Sequence, residues 1–146
     1  MAQTCLDLVG IGNAVVDVLT HADDAFLVKN DLAKGAMTLV DANKGQKLYE
    51  EMGPAVEVSG GSASNTMAGF ASLGGNGAFV GKVRNDQLGG IFSRDIQAAG
   101  VRYETPLATS GSPTARCLIF VTPDAQRTMQ TYLGASVALG SDDIDE

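Results

Sequence analysis

Two cysteines and a single histidine in 146 residues are a poor ligand set for a metal and too few for a disulfide framework. Cys5 and Cys117 each sit in an apolar, strand-like run, where a buried free thiol is the ordinary state, so neither a disulfide nor a metal site is expected. Basic residues are scarce as well. Ten Lys and Arg stand against seventeen Asp and Glu, for a net charge of −7. Spread thinly along the chain, they do not form the footprint that a phosphate backbone requires, and no nucleic-acid partner is expected. No apolar run approaches the roughly 20 residues of a membrane helix. Met1 to Thr4 has no charged region leading into an apolar one, so no membrane partner is expected and a cytoplasmic location is the default.

The chain does have the means to build a core. Its 146 residues are enough for one ordinary domain and not for two, with hydrophobic residues at 45% and charged residues at 18%. Glycine is plentiful, at eighteen, and one pair organises the stretch from Val56 to Val101. In Ser59-Gly60-Gly61-Ser62-Ala63-Ser64-Asn65, adjacent glycines open backbone conformations closed to other residues and let a ligand approach the main chain. The small and apolar run Thr66 to Leu73 reads as a helix packed on a sheet, and Gly74-Gly75 ends it. A glycine loop opening a helix directs unpaired N–H groups toward one point, which suits an anionic or polyhydroxyl ligand. The same glycines also serve a plain strand-to-helix turn.

Strand and helix patterns alternate along the chain. Leu6 to Val9 reads as a buried strand running into Gly10-Ile11-Gly12. A dinucleotide fingerprint fails here, because Val15 holds the third glycine position and Val15 to Leu19 favours a strand. Asn13 and Asp17 are left as polar groups among apolar ones, about 13 Å apart if the strand is extended, so both hold one ligand only if the chain bends. Asp17 taken alone fits a solvated strand residue better than a binding one. Further on come a short helix at Asp23 to Asn30, a strand at Lys34 to Asp41, an amphipathic helix at Asn43 to Met52, a strand at Ala78 to Gly81 and a helix from Asp86 to Ile96. Gly77 to Lys82 is a strand end and not a phosphate loop, since Asn76 and Val83 stand where that loop needs Gly and Ser or Thr. Ala115 to Val121 and Arg127 to Leu133, joined through Pro123, read as a β-hairpin. Met129, Thr131 and Leu133 share one of its faces. The acidic run Ser141 to Glu146 reads as the start of a further helix.

Gly60-Gly61 with Asn65, Leu73-Gly74-Gly75, Phe79 to Val83, Asp86, Gly89 and Ala99-Gly100-Val101 agree in spacing and type with the first signature of the ribokinase/PfkB carbohydrate and nucleoside kinases, which the chain resembles over essentially its whole length. Gly12-Asn13-Ala14-Val15-Val16-Asp17 resembles the adenosine-kinase-like subgroup, with a ribokinase- or fructokinase-like sugar kinase as the alternative. The resemblance implies an α/β fold, a ribokinase-like three-layer parallel sheet present in part. A small β-sheet lid, with strands near 13–20, 34–41 and 113–133, would cover the substrate. It implies Asn13, Asp17, Gly60, Gly61 and Asn65 as substrate-binding residues; Met129 and Thr131 fall on the lid strands, where their face either looks toward the substrate or is ordinary lid core, and Arg127 either reaches phosphate across a closed lid or is a solvated turn residue. It also implies ATP and Mg²⁺, and a homodimer through the lid sheet or an unpaired sheet edge. The family's second signature, Asp-Thr-x-Gly-Ala-Gly-Asp, does not occur in the 146 residues, so the resemblance covers the N-terminal half and assigns no catalytic base here. Ser136 stands where the family often has Asn. A non-catalytic sugar- or nucleoside-binding or interaction module is the alternative from another class.

Overall fold

The structure, a computed structural model, describes residues 5–144. In chain order, β1 (Leu8–Ile11) is followed by β2 (Val15–His21), α1 (Asp24–Lys29), β3 (Met37–Leu39), α2 (Ala42–Glu51) and β4 (Val56–Gly60). Next come α3 (Ser62–Ser72), β5 (Gly77–Val80), α4 (Gln87–Ala98), β6 (Arg102–Tyr103), β7 (Ala115–Val121) and β8 (Arg127–Tyr132), then two short 3-10 turns, Gly134–Ala138 and Ser141–Asp143. Two sheets result. One is parallel, in the order β1-β5-β6; the other is mixed, in the order β3-β8-β7-β2-β4. The chain leaves the first sheet twice to build the second, once between β1 and α3 and once between β6 and the first 3-10 turn.

Aspartates start three of the helices. The carboxylates of Asp23, Asp41 and Asp86 accept from the N–H groups of Phe26, Lys44 and Gly89 at 2.7, 2.8 and 2.8 Å, caps worth about 1 kcal/mol each. Helix α3 packs so closely on the parallel sheet that a Cβ at Gly10 would stand 2.6 Å from Met67 Cγ. Phe79, Phe92 and Tyr103 join β5, α4 and β6 in one aromatic cluster, with ring centroids 5.4 to 6.1 Å apart. Under the mixed sheet, Val16, Val18, Leu118 and Phe120 are fully buried with Leu48 and Leu27, and belong to the same continuous core. Helix α4 touches both sheets.

Several sequence expectations shift. Strand β1 is Leu8–Ile11, and it is not buried: Val9 and Ile11 are 48% and 59% exposed. Alternation sends Gly10 toward α3, and Val9 and Ile11 to the opposite face of the sheet, which no described helix covers. Of the three expected layers, the described residues form one helical layer and the sheet. Helix α3 starts at Ser62, four residues before Thr66, because Gly61 adopts φ +99° and takes the N-cap position. The expected strand at 34–41 shrinks to three residues, since Gly35 turns at φ +75° and Asp41 caps α2. Leu133 leaves the strand to open the first 3-10 turn. The acidic run from Ser141 forms a single 3-10 turn, with Asp145 and Glu146 outside the described residues, as Met1 to Thr4 are.

The uncovered sheet face forms a groove of about 520 Å³ lined by Val9, Ile11, Val80, Pro106 and Ile144 among others. Parallel sheets are ordinarily covered on both faces. The 146-residue chain on its own is therefore expected to self-associate or to be marginally stable; a monomer that melts cooperatively at high concentration in sedimentation and calorimetry would contradict this. Two adjacent glycines of α4 are expected to respond oppositely to alanine. A Cβ at Gly89 would overlap the Arg84 carbonyl oxygen, whereas one at Gly90 meets nothing within 4 Å. Gly89→Ala should cost at least about 2 kcal/mol and Gly90→Ala should gain about 0.5–1 kcal/mol, which urea denaturation measures directly.

Candidate functional site

The two sheets meet at the glycine pair. Gly60 is the last residue of β4, opposite Val15 of β2, and Gly61 caps α3. A Cβ at Gly60 would overlap the Asp17 carboxyl group, and one at Gly61 would lie 2.7 Å from the Asn13 carbonyl oxygen. Both glycines are thus required by close approach, and Gly61 also by its positive φ. Asn13 is not a strand residue; it lies in the link between β1 and β2, with its carbonyl oxygen against Gly61. Ser64 sits buried at the first turn of α3, its hydroxyl donating toward the carbonyls of Gly60 and Gly61. Helix α3 has no side-chain cap, and its first hydrogen bond runs from Asn65 N–H to Gly61 O at 2.9 Å. The N–H groups of the preceding turn remain available. Asn13 and Asn65 are exposed, and their side chains make no hydrogen bond among the described residues.

Asp17 leads into a row across the mixed sheet. Val58, Asp17, Cys117, Thr131 and Leu39 are successive cross-strand partners, and so share one face. Beside this row lie Leu19, Ile119, Met129 and Met37, again in register. The face is apolar and open at its outer strand, where Met37 and Leu39 are 56% and 60% exposed, while Cys117 and Ile119 at its middle are buried. Its reverse is sealed by the core. Asp17 is half-buried, and loss of water raises its carboxyl above the usual carboxylate range, with the charge of Arg127 acting in the opposite sense. Arg127 is exposed at the start of β8, in the row of Val121 and His21. The Cys117 thiol is pushed up by burial, while the Thr131 hydroxyl, 3.3 Å away, lowers it and the charge of Asp17 raises it.

The structure sets Gly60 against the Asp17 carboxyl and Gly61 against the Asn13 carbonyl, puts Asn65 one turn into α3, and sets Met129 and Thr131 on the Asp17 face. Sequence reading missed Cys117 and Leu39 as neighbours of this row. The period-two pattern of β7 and β3 could have put them on one face, but their pairing to Asp17 and Thr131 is a long-range matter. Ser136 is buried and donates its hydroxyl to Leu133 O at 2.6 Å, a purely local role. Cys5 and Cys117 are free thiols. Among the described residues no three His, Cys, Asp or Glu side chains gather as a metal site, and no helix is long and apolar enough to cross a membrane.

A half-buried carboxylate beside a glycine-capped helix, facing an apolar sheet, is an arrangement that can hold a small polar ligand. The family profile described as "pfkB family carbohydrate kinase" matches residues 28–145, and the chain belongs to this family. The crystal structure of adenosine kinase from Sinorhizobium meliloti is 54% identical and superposes with a TM-score of 0.87, over 96% of this chain and 43% of that one. A probable sugar kinase protein from Rhizobium etli CFN 42 is 51% identical with a TM-score of 0.87, over 96% and 42%. Adenosine kinase 2 of Arabidopsis thaliana is 29% identical over 114 residues, 72% of this chain and 33% of its own length. The chain thus spans about two-fifths of these solved relatives and a third of the curated one. The fold is that of the ribokinase-like adenosine kinases.

A pH dependence follows from Asp17. With its folded-state pKa raised, this carboxyl contributes stability that is fully present below its ordinary range and lost as pH rises through the raised value. Asp17→Asn should therefore raise the melting midpoint at pH 7 and leave it unchanged in acid, below the carboxylate range. An equal shift at both pH values in thermal melts would remove desolvation of Asp17 as the cause.

Proposed function

We propose that this chain is the acceptor-binding part of an ATP-dependent kinase that phosphorylates the hydroxymethyl group of a nucleoside of the adenosine kind. The observation that carries this reading is the Asp17 carboxylate, half-buried on the Gly60-Gly61 turn and continuous with an open apolar face. Ribose hydroxyls donate to Asp17, and the exposed amides of Asn13 and Asn65 and the first N–H groups of α3 serve the same end. The apolar face, from Cys117 across Thr131 and Met129 to Leu39, suits a flat base. It extends three strand spacings from Asp17, about 14 Å, which is more room than a monosaccharide needs. In this reading the mixed sheet is a lid over the acceptor, and Arg127 stands on its Asp17 face at the end away from the glycine turn.

ATP and Mg²⁺ enter through the family alone. Since the described residues gather no donor set for a cation, no step is assigned to either group on this chain. Nor is a general base assigned. Phosphoryl transfer needs a positioned base and an anion site, which the resemblance ties to a signature not found in these 146 residues.

A sugar acceptor is the second reading, favoured by the likeness to the Rhizobium etli probable sugar kinase protein. Calorimetric titration with adenosine, ribose and fructose decides between them. Adenosine is expected to bind most tightly, and Asp17→Ala to weaken it at least about tenfold, the order for one lost hydrogen bond to a charged group. Gly61→Val should weaken the same ligand. With Mg²⁺ and ATP added, the 146-residue chain is expected to transfer no phosphate. Preference for a sugar would select the second reading, and normal adenosine affinity in both variants would remove these residues from the site.

A further inference from the structure

The chain passes between the two sheets three times and leaves the mixed sheet once more after β8, and these four passages lie side by side. Val15 pairs with Gly60 and with Ala115, and Arg116 pairs with Tyr132. The passages at 12–14, 60–61, 113–114 and 133–134 therefore share one end of the mixed sheet. Two contacts between them are made by main chain: Gly61 lies against the Asn13 carbonyl, and Ala135 N–H donates to Pro113 O at 2.8 Å.

The contact at Thr114 is made by a side chain. Asp86, the N-cap of α4, accepts from Gly89 N–H at 2.8 Å and from the Thr114 hydroxyl at 2.6 Å through Oδ1. Its Oδ2 accepts from Thr114 N–H at 2.9 Å. Thr114 is 1% exposed, and its hydroxyl also accepts from Arg84 N–H at 3.0 Å. Capping α4 requires only the bond to Gly89. The two bonds to Thr114 bind α4, the helix that touches both sheets, to the first step of β7. Bonds to an ionised acceptor are roughly twice as strong as neutral ones, and these two are shielded by burial of Thr114.

We infer that Asp86 is a positioning residue. Through Thr114 it sets how the mixed sheet, and with it the row of Asp17, Cys117 and Thr131, stands over the glycine turn. Its relevance to acceptor binding rests on the function proposed above. Thr114→Val keeps the volume and removes the hydroxyl. Asp86→Ser keeps a good cap for α4 but is too short to reach Thr114, and Thr114→Ser restores the hydroxyl.

Amide hydrogen exchange on the full 146-residue chain provides a readout that general destabilisation would not reproduce. In Thr114→Val and Asp86→Ser, amides of β2, β7 and β8 are expected to exchange about tenfold faster, those of α3 and β5 to stay within about twofold, and Thr114→Ser to behave as wild type. Equal acceleration in both sheets, or none in the mixed sheet, overturns the inference. Adenosine titration of the same proteins separates the two readings. Faster exchange confined to the mixed sheet, with no adenosine binding by wild type, upholds the positioning role and overturns the acceptor. Wild-type affinity in both variants overturns the positioning role while leaving the acceptor in place.

Discussion

Asp17 occupies the space that any side chain at position 60 would need, and much of the structure follows from that exclusion. A carboxylate withdrawn from water without a partner is costly, and among the described residues Asp17 has neither a hydrogen bond nor an ion pair within 4 Å. Its position is maintained by the pairing of β2 between β4 and β7 and by a core that buries Val16 and Val18 on either side of it. A ligand hydroxyl would relieve the desolvation that raises its pKa. In the proposed function the desolvated group and the binding group are then the same, as expected where a site is prepared in advance of its ligand.

The scaffold around it divides the work between the two faces of the mixed sheet. Side chains at 16, 18, 118 and 120 pack on α1, α2 and α4, while their neighbours at 17, 19, 117 and 119 form the opposite face, on which Cys117 and Ile119 make a small buried cluster of their own. Arg116 adds a polar element on the sealed side. It is 6% exposed, lies 4.8 Å over the Tyr49 ring and donates to Gln46 Oε1 at 2.8 Å, while Tyr49 donates to Glu57 at 2.5 Å. Helix α2 is thereby joined to β7 and β4 by polar contacts as well as by Leu48.

Much of this was readable from residue types and spacing. Glycines at 60 and 61, polar residues at 13 and 17, and the Asp86 and Gly89 pair all announce themselves locally, because close approach and capping select residue type position by position. The hairpin from 115 to 132 and the helices capped by Asp23, Asp41 and Asp86 were legible for the same reason. What was not legible depended on partners distant in sequence. Pairing of β2 with β7 joins residues about a hundred positions apart, and only that register brings Cys117 beside Asp17 and Arg127 within electrostatic reach of it. Apolar Val9 and Ile11 look like core in sequence, yet burial needs a covering element, and strand pattern alone does not say whether one is there.

The shared end of the four passages makes the mixed sheet a lever. Measured from the row of Val15, Asp17 lies two residues out and Arg127 six, or about 7 and 20 Å along the strands. A tilt of about ten degrees about that fulcrum would carry Asp17 by about 1 Å and Arg127 by about 3.5 Å. The carboxylate sits where angular error is smallest, and the guanidinium where the same error is magnified threefold. Contacts near the fulcrum can therefore persist through a range of tilts, whereas anything that depends on Arg127 is confined to a narrow part of that range.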